Sequence, residues 1–316
     1  MSGKKLSIGL LGKIFKSAFQ GFIDDNITKL SGALAYFTVF SMGPLLLILI
    51  TLTSLIFGRE AVEGRVFNQL QGFLGHDTAL QLQQIIQHAF ISGGNVPATI
   101  IGLIILLIGA SSVFVEMQDS INTIWGLKVK AKKGWVAFLQ NRFLSFSIIV
   151  GLSFLLLVSL ALSAIVEGLG SHLKTIFPHS SIILLYIVNL VFSIGITGFI
   201  FAIIFKVLPD AEIKWKDVVA GAIATTILFL LGKFGISFYI SKINIGTTYG
   251  AAGSLIVLLL WVYYSAIILY FGAEFTKAYA VQLGSPILPS QYAVTVKIVE
   301  QEKGKMSIQQ KEKSGK

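Results

Sequence analysis

Within a chain of 316 residues that is 54% hydrophobic and only 13% charged, the ionisable side chains next to or within long apolar runs are the residues able to do chemistry. Glu116 and Asp119 stand three residues apart, which puts both carboxylates on one face of a helix, with Asn122 and Thr123 continuing that face. Asp210, Glu212 and Asp217 follow a later apolar run, and Glu274 follows the last one. Arg142, Lys206, Lys214 and Lys216 fall at the same level. Two readings of this belt are open: ion pairs that fix helix ends, or the lining of a polar cavity. Lys233 stands apart. It lies within an apolar run, about 10 Å from its outer end at 1.5 Å per residue. It either snorkels to the interface or turns inward to an anionic group such as Glu167. Tyr263, Tyr264 and Ser265 also fall deep in an apolar run, where a hydroxyl needs protein or water beside it.

The elements that must position these residues are six apolar runs, at 33–57, 96–115, 143–166, 182–207, 218–240 and 249–271. Each is about the 20 residues that cross a hydrocarbon core of about 30 Å. The predicted fold is an all-α membrane protein, a six-transmembrane-helix bundle spanning 33–280. Basic residues sort onto alternate sides: five precede the first run, five fill the second loop, three the fourth, and seven follow the last run. Only four lie on the other side and one within a run. The positive-inside rule then places both termini in the cytoplasm. The net charge of +10 is accounted for by lysines beside an anionic leaflet, so no nucleic-acid partner is invoked. Membrane lipids are the expected partners.

Between the runs, residues 6–23 repeat apolar side chains at helical spacing, with Lys13, Lys16 and Gln20 between them. This basic amphipathic segment, within a cytoplasmic stretch 1–32, either lies in the membrane interface or packs on the bundle. Residues 58–95 carry two apolar stripes broken at Gly75-His76-Asp77, which predicts an extracytoplasmic helical hairpin. Residues 281–316 read as a cytoplasmic, largely disordered basic tail, with almost no apolar side chain beyond Glu300. In the first run, Ser31 to Tyr36 offers a small-residue face for close helix contact, and Pro44 allows a kink.

There is no Cys, so a thiolate metal site or a Cys nucleophile is excluded. No P-loop, HExxH, GxSxG or EF-hand pattern occurs, and the four histidines are scattered over loops. No cofactor, metal site or enzymatic activity is expected.

Five stretches taken together carry a resemblance: LSGALAYFTVFSMGPLLL (30–47), GASSVFVEMQDSINTIWG (109–126), RFLSFSIIVGLSFLLLVSLALS (142–163), KVLPDAEIKWKDVVAGAIATTILFLLGKFGISFYI (206–240) and YGAAGSLIVLLLWVYYSAIILYFGAEFT (249–276). From about Leu30 to Ala280 the chain resembles the YihY/BrkB family of bacterial inner-membrane proteins. One departure is Ile267, where Gln is expected in many members. The resemblance implies a six-span protein of the bacterial inner membrane. The family once carried a ribonuclease label, which these residues do not support. Members have been linked to serum resistance and to moving envelope lipids. The leading expectation is a transporter or flippase for a lipid or other envelope substrate, with Glu116, Asp119, Asn122, Asp210, Lys233, Tyr264 and Glu274 as candidate path residues. The alternative is a non-transporting scaffold that recruits envelope proteins through the outer hairpin and the basic tail.

Overall fold

The structure is a computed structural model, and it describes residues 7–57, 96–129, 181–242, 253–283, 285–290 and 293–296, with short stretches between 63 and 84. In chain order the elements are α1 (Ile8–Asp24), α2 (Ile27–Phe57), α3 (Val96–Ile124), β1 (Leu127–Val129), α4 (Ser181–Val207), β2 (Ala211–Glu212), α5 (Trp215–Lys242), α6 (Gly253–Leu283), β3 (Leu288–Pro289) and β4 (Ala293–Thr295). Five of the six apolar runs thus coincide with helices of 27 to 31 residues. The run 143–166, most of the outer segment 58–95, the start of the last run, Glu167, and the tail from residue 297 lie outside the described residues. Within 58–95, the short stretch 66–68 is helical. Among the described residues, 215–236 and 255–283 are each long and apolar enough to cross a membrane, and 191–207 forms a shorter apolar helix.

Local chemistry sets the helix ends. Ser7 caps α1, its hydroxyl accepting from the Leu10 amide at 3.3 Å. Asn26, at φ 51°, takes the left-handed conformation that ends α1 and lets α2 start one residue later. Gly126, at φ 67°, does the same after α3. α2 runs unbroken from Ile27 through Pro44 to Phe57, so the proline does not end the helix.

α6 is the central helix, packed against α5, α2, α1 and α3. Its seam with α5 is built from two matching Gly-x-x-x-Thr sets, Gly221–Thr225 and Gly272–Thr276. The Thr225 hydroxyl donates to the Gly221 carbonyl and the Thr276 hydroxyl to the Gly272 carbonyl, both at 2.7 Å. Thr276 fills the space where Gly221 would carry a side chain, and Thr225 does the same at Gly272. The two helices therefore approach backbone to side chain, with each buried hydroxyl satisfied inside its own helix. In α2 the small-residue segment contributes buried Ser31, Leu34 and Ala35, whereas Gly32 and Tyr36 face outward.

One end of the bundle carries the strands. β1 pairs antiparallel with β4, Lys128 opposite Val294, and β2 pairs with β3, Ala211 opposite Pro289. The main core cluster, with Ile27, Ile121, Ile124, Phe205, Leu208, Val218 and Tyr270, lies at this strand end. Two features depart from the sequence expectation. The fold is mostly helical but not purely so, because these strands are too short to show a periodic pattern. Residues 281–296, read as the start of a largely disordered basic tail, instead continue α6 to Leu283 and then include β3 and β4.

The seam yields a direct test. Gly221→Ala or Gly272→Ala forces a methyl group into a threonine of the partner helix and should cost about 1–3 kcal/mol, read as a lower unfolding midpoint in detergent. Gly235→Ala on the same α5 meets nothing within 4 Å and should leave stability unchanged or slightly raised.

Candidate functional site

The last two turns of α3 bring Glu116, Gln118, Asp119, Ser120 and Asn122 to the strand end. Gln118 and Asn122, four residues apart, share one face. Both donate to Asp210 Oδ2, at 3.0 and 2.8 Å, and Asn122 Oδ1 accepts the Asp210 backbone amide at 2.9 Å. The amide of Asn122 thus grips Asp210 from both sides. Ser290 then donates its backbone amide to the Asp210 carbonyl at 3.0 Å, tying the C-terminal segment to the same point. Lys206 steadies the turn between α4 and α5. Its ammonium donates to the Ile213 carbonyl at 2.5 Å and stands 5.7 Å from the centre of the Trp215 ring.

Around this clasp the carboxylates crowd. Glu116 and Asp119 lie beyond the apolar run that ends at Val115. Desolvation among the packed helix ends, and then the charge of Asp210, push the Asp119 carboxyl above its ordinary value. Desolvation, and then Asp119, push Glu116 up as well, although Ser120 donates to its Oε1 at 3.5 Å and opposes the rise. Tyr270 of α6 reaches this region, near Ser120, Glu116 and Asp119. It is fully buried, and its hydroxyl has no hydrogen-bond partner. Asp217, in the first turn of α5, is likewise fully buried with both carboxylate oxygens unpaired, at a helix end whose dipole favours negative charge.

The seven candidate residues from the sequence fall into three places. Glu116, Asp119, Asn122 and Asp210 come together. Glu274 does not join them; it faces α1, where its carboxyl packs against Gly21 and pairs with Lys277. Tyr264 lies deeper, packed on Gly232 of α5 beside half-buried Lys233. The sequence reading missed Gln118, Ser120, Tyr270, Asp25 and Lys277. Gln118 had a signal, its four-residue spacing from Asn122, and Lys277 had one in its three-residue spacing from Glu274. Nothing local marks Tyr270.

Asn122→Ala should destabilise the protein by about 1 kcal/mol, because it leaves the half-buried Asp210 short of two of its partners. Asn122→Asp should be worse at neutral pH and recover in acid. Because burial raises both carboxyls, their contribution to stability is fully present below the ordinary unfolded carboxyl values and is lost as pH rises through the raised folded ones. Glu116→Gln and Asp119→Asn should therefore raise the unfolding midpoint at neutral pH and leave it unchanged in acid.

The comparison with known proteins covers nearly the whole described bundle. The family model described as virulence factor BrkB matches residues 18–291. A UPF0761 membrane protein of Saccharophagus degradans is 25% identical over 278 residues, 85% of this chain and 60% of that protein. The chain thus spans less than two thirds of that relative's length. A UPF0761 membrane protein of Alteromonas mediterranea is 26% identical over 265 residues, 80% of this chain and 83% of that one. A putative ribonuclease-like protein of Bacillus subtilis is 26% identical over 250 residues, 77% and 86% of the two chains. No solved structure matches. The match runs from the middle of α1, through every described helix, to the pairing of β3, and the chain belongs to the BrkB family of membrane proteins.

Proposed function

We propose that the chain is a six-span inner-membrane protein that moves an amphipathic lipid or other envelope substrate across the bilayer, its strand end facing the cytoplasm. Membership in a family of membrane proteins and the lysine asymmetry support the placement. The contact of Asn122 with Asp210 means that α3 and α4 both end at the strand end, so the chain enters α4 from the opposite end. A crossing by residues 143–166 supplies that change of side, and 58–95 then form an outer cover.

The observation that carries the transport reading is the polar centre. Three carboxylates, two amides and an unpaired buried tyrosine hydroxyl gather where an apolar bundle meets its strand end. Ionisable groups that gather at the end of a membrane bundle commonly line the mouth of a substrate or ion path. Asp210 and Asn122 hold the geometry, Glu116 and Asp119 line the mouth, and Lys233 and Tyr264 stand further along the bundle. No nucleotide-binding motif is present in the sequence, so the drive is a gradient, a partner or simple equilibration rather than ATP held by this chain.

The second reading, a scaffold for envelope proteins, is favoured by one feature. The strand segment is ordered and presents exposed Leu288, Val294 and Val296. One assay separates the two. Purified protein in sealed liposomes should exchange fluorescent phospholipids or glycolipids between leaflets, with the rate lowered at least about tenfold by Glu116→Gln or Lys233→Met. No exchange under any imposed gradient sinks the lipid-transport reading. Under the scaffold reading, removal of residues 301–316 impairs function while Glu116→Gln is tolerated. The reading is non-enzymatic, and RNA incubated with the protein and divalent metals should stay intact.

A further inference from the structure

The seam between α1 and α6 holds a second group of charges. α1 presents three faces. Ile14 and Ala18 are buried against Phe275 and Ala278 of α6. Lys13, Lys16 and Gln20 are exposed, and so are Phe15, Phe19 and Ile23 on the remaining side. At the end of α1, Gly21 leaves room for the Glu274 carboxyl, which occupies the space a side chain at position 21 would need.

That carboxyl is 2% exposed, and its Oε1 receives no hydrogen bond. Its Oε2 stands 3.4 Å from the Lys277 ammonium, which also lies 3.3 Å from Asp25 Oδ2. One cation therefore faces two carboxylates. Part of its donor capacity is committed elsewhere, because Lys277 also donates to the Ile124 carbonyl at 2.5 Å and so caps the negative end of α3. Asp24 adds a third carboxylate at the rim of the same crevice. Asp25 and Glu274 thus face one another across a single ammonium. A crevice of about 260 Å³, lined in part by Ser17, Gln20, Asp24 and Gln282, also reaches Glu274 and Lys277.

We propose that the buried Glu274 carboxyl binds a proton, taken up through this crevice, and that this proton holds α1 against α6. With the proton present, Asp25, Glu274 and Lys277 together are neutral. When it leaves to water, an excess negative charge remains beside a buried carboxylate, and the contact is repulsive. Docking of α1 is thus favoured in acid and lost as pH rises. The proposal does not depend on transport.

The chain has no native cysteine, so spin labels can be placed by Lys16→Cys on α1 and Val281→Cys on α6. Distances are then read by pulsed electron spin resonance on the full chain in lipid nanodiscs. One short distance is expected in acid, with a longer population growing as pH rises. Glu274→Gln should hold the short distance at every pH, because its amide carries no charge and leaves Asp25 and Lys277 balanced. Asp25→Asn, at the less buried partner, should do the same and covers the case in which Glu274→Gln fails to fold. A distance that is independent of pH in the parent, or variants that titrate like the parent, overturns the proposal.

Discussion

The close approach of α5 and α6 is the constraint on which the rest of the bundle rests. Within a bilayer there is no hydrophobic drive between helices, so association depends on packing and on leaving no polar group unpaired. The seam meets both demands with the same residues. Each glycine admits a threonine of the opposite helix, and each threonine is silenced by the carbonyl of the glycine four residues before it. Thr226 repeats the device towards α4, where it meets Gly198 and donates to Ala222 at 2.7 Å. α5 is thereby held between α4 and α6 by small residues along its length.

A fixed α6 then serves as the reference for the strand end. The Trp125 indole donates to the Ala273 carbonyl at 3.1 Å, and Lys277 reaches the Ile124 carbonyl. α3 is thus tied to α6 by two bonds at its last turn, which sets where Glu116, Gln118 and Asn122 can point. The Asp210 clasp follows from that placement. The paired strands add a second layer, joining the residues after α3 and α4 to the segment after α6. Without a fixed α3, Asp210 would lose both amide donors together.

The parts of this arrangement legible in the sequence are those the bilayer enforces over many residues. Helix positions follow from runs of some 20 apolar side chains, and α1 from its helical repeat of apolar residues. The amides and carboxylates of the polar centre stood out because charge is scarce in such a chain. What could not be read were pairings across long separations, such as Asn122 with Asp210, 88 residues apart. The strands were hidden because two or three residues carry no period. The α5–α6 seam was hidden for a different reason. Glycines and small residues abound here, and Gly32 and Gly235 meet nothing while Gly221 and Gly272 are in tight contact. Only the facing helix tells them apart.

The polar centre and the α1 seam also share a helix. Tyr270 and Glu274 are one turn of α6 apart, about 6 Å along its axis, and they point to different partners: α3 for Tyr270 and the end of α1 for Glu274. Both are buried, and each has an oxygen without a hydrogen bond. Close-packed interiors move between discrete arrangements rather than deforming continuously. The stretch of α6 between them therefore sets both contacts at once. The Lys277 link to Ile124 ties that stretch to the end of α3, where Asn122 grips Asp210. The α1 seam and the polar centre are thus built on one segment of one helix.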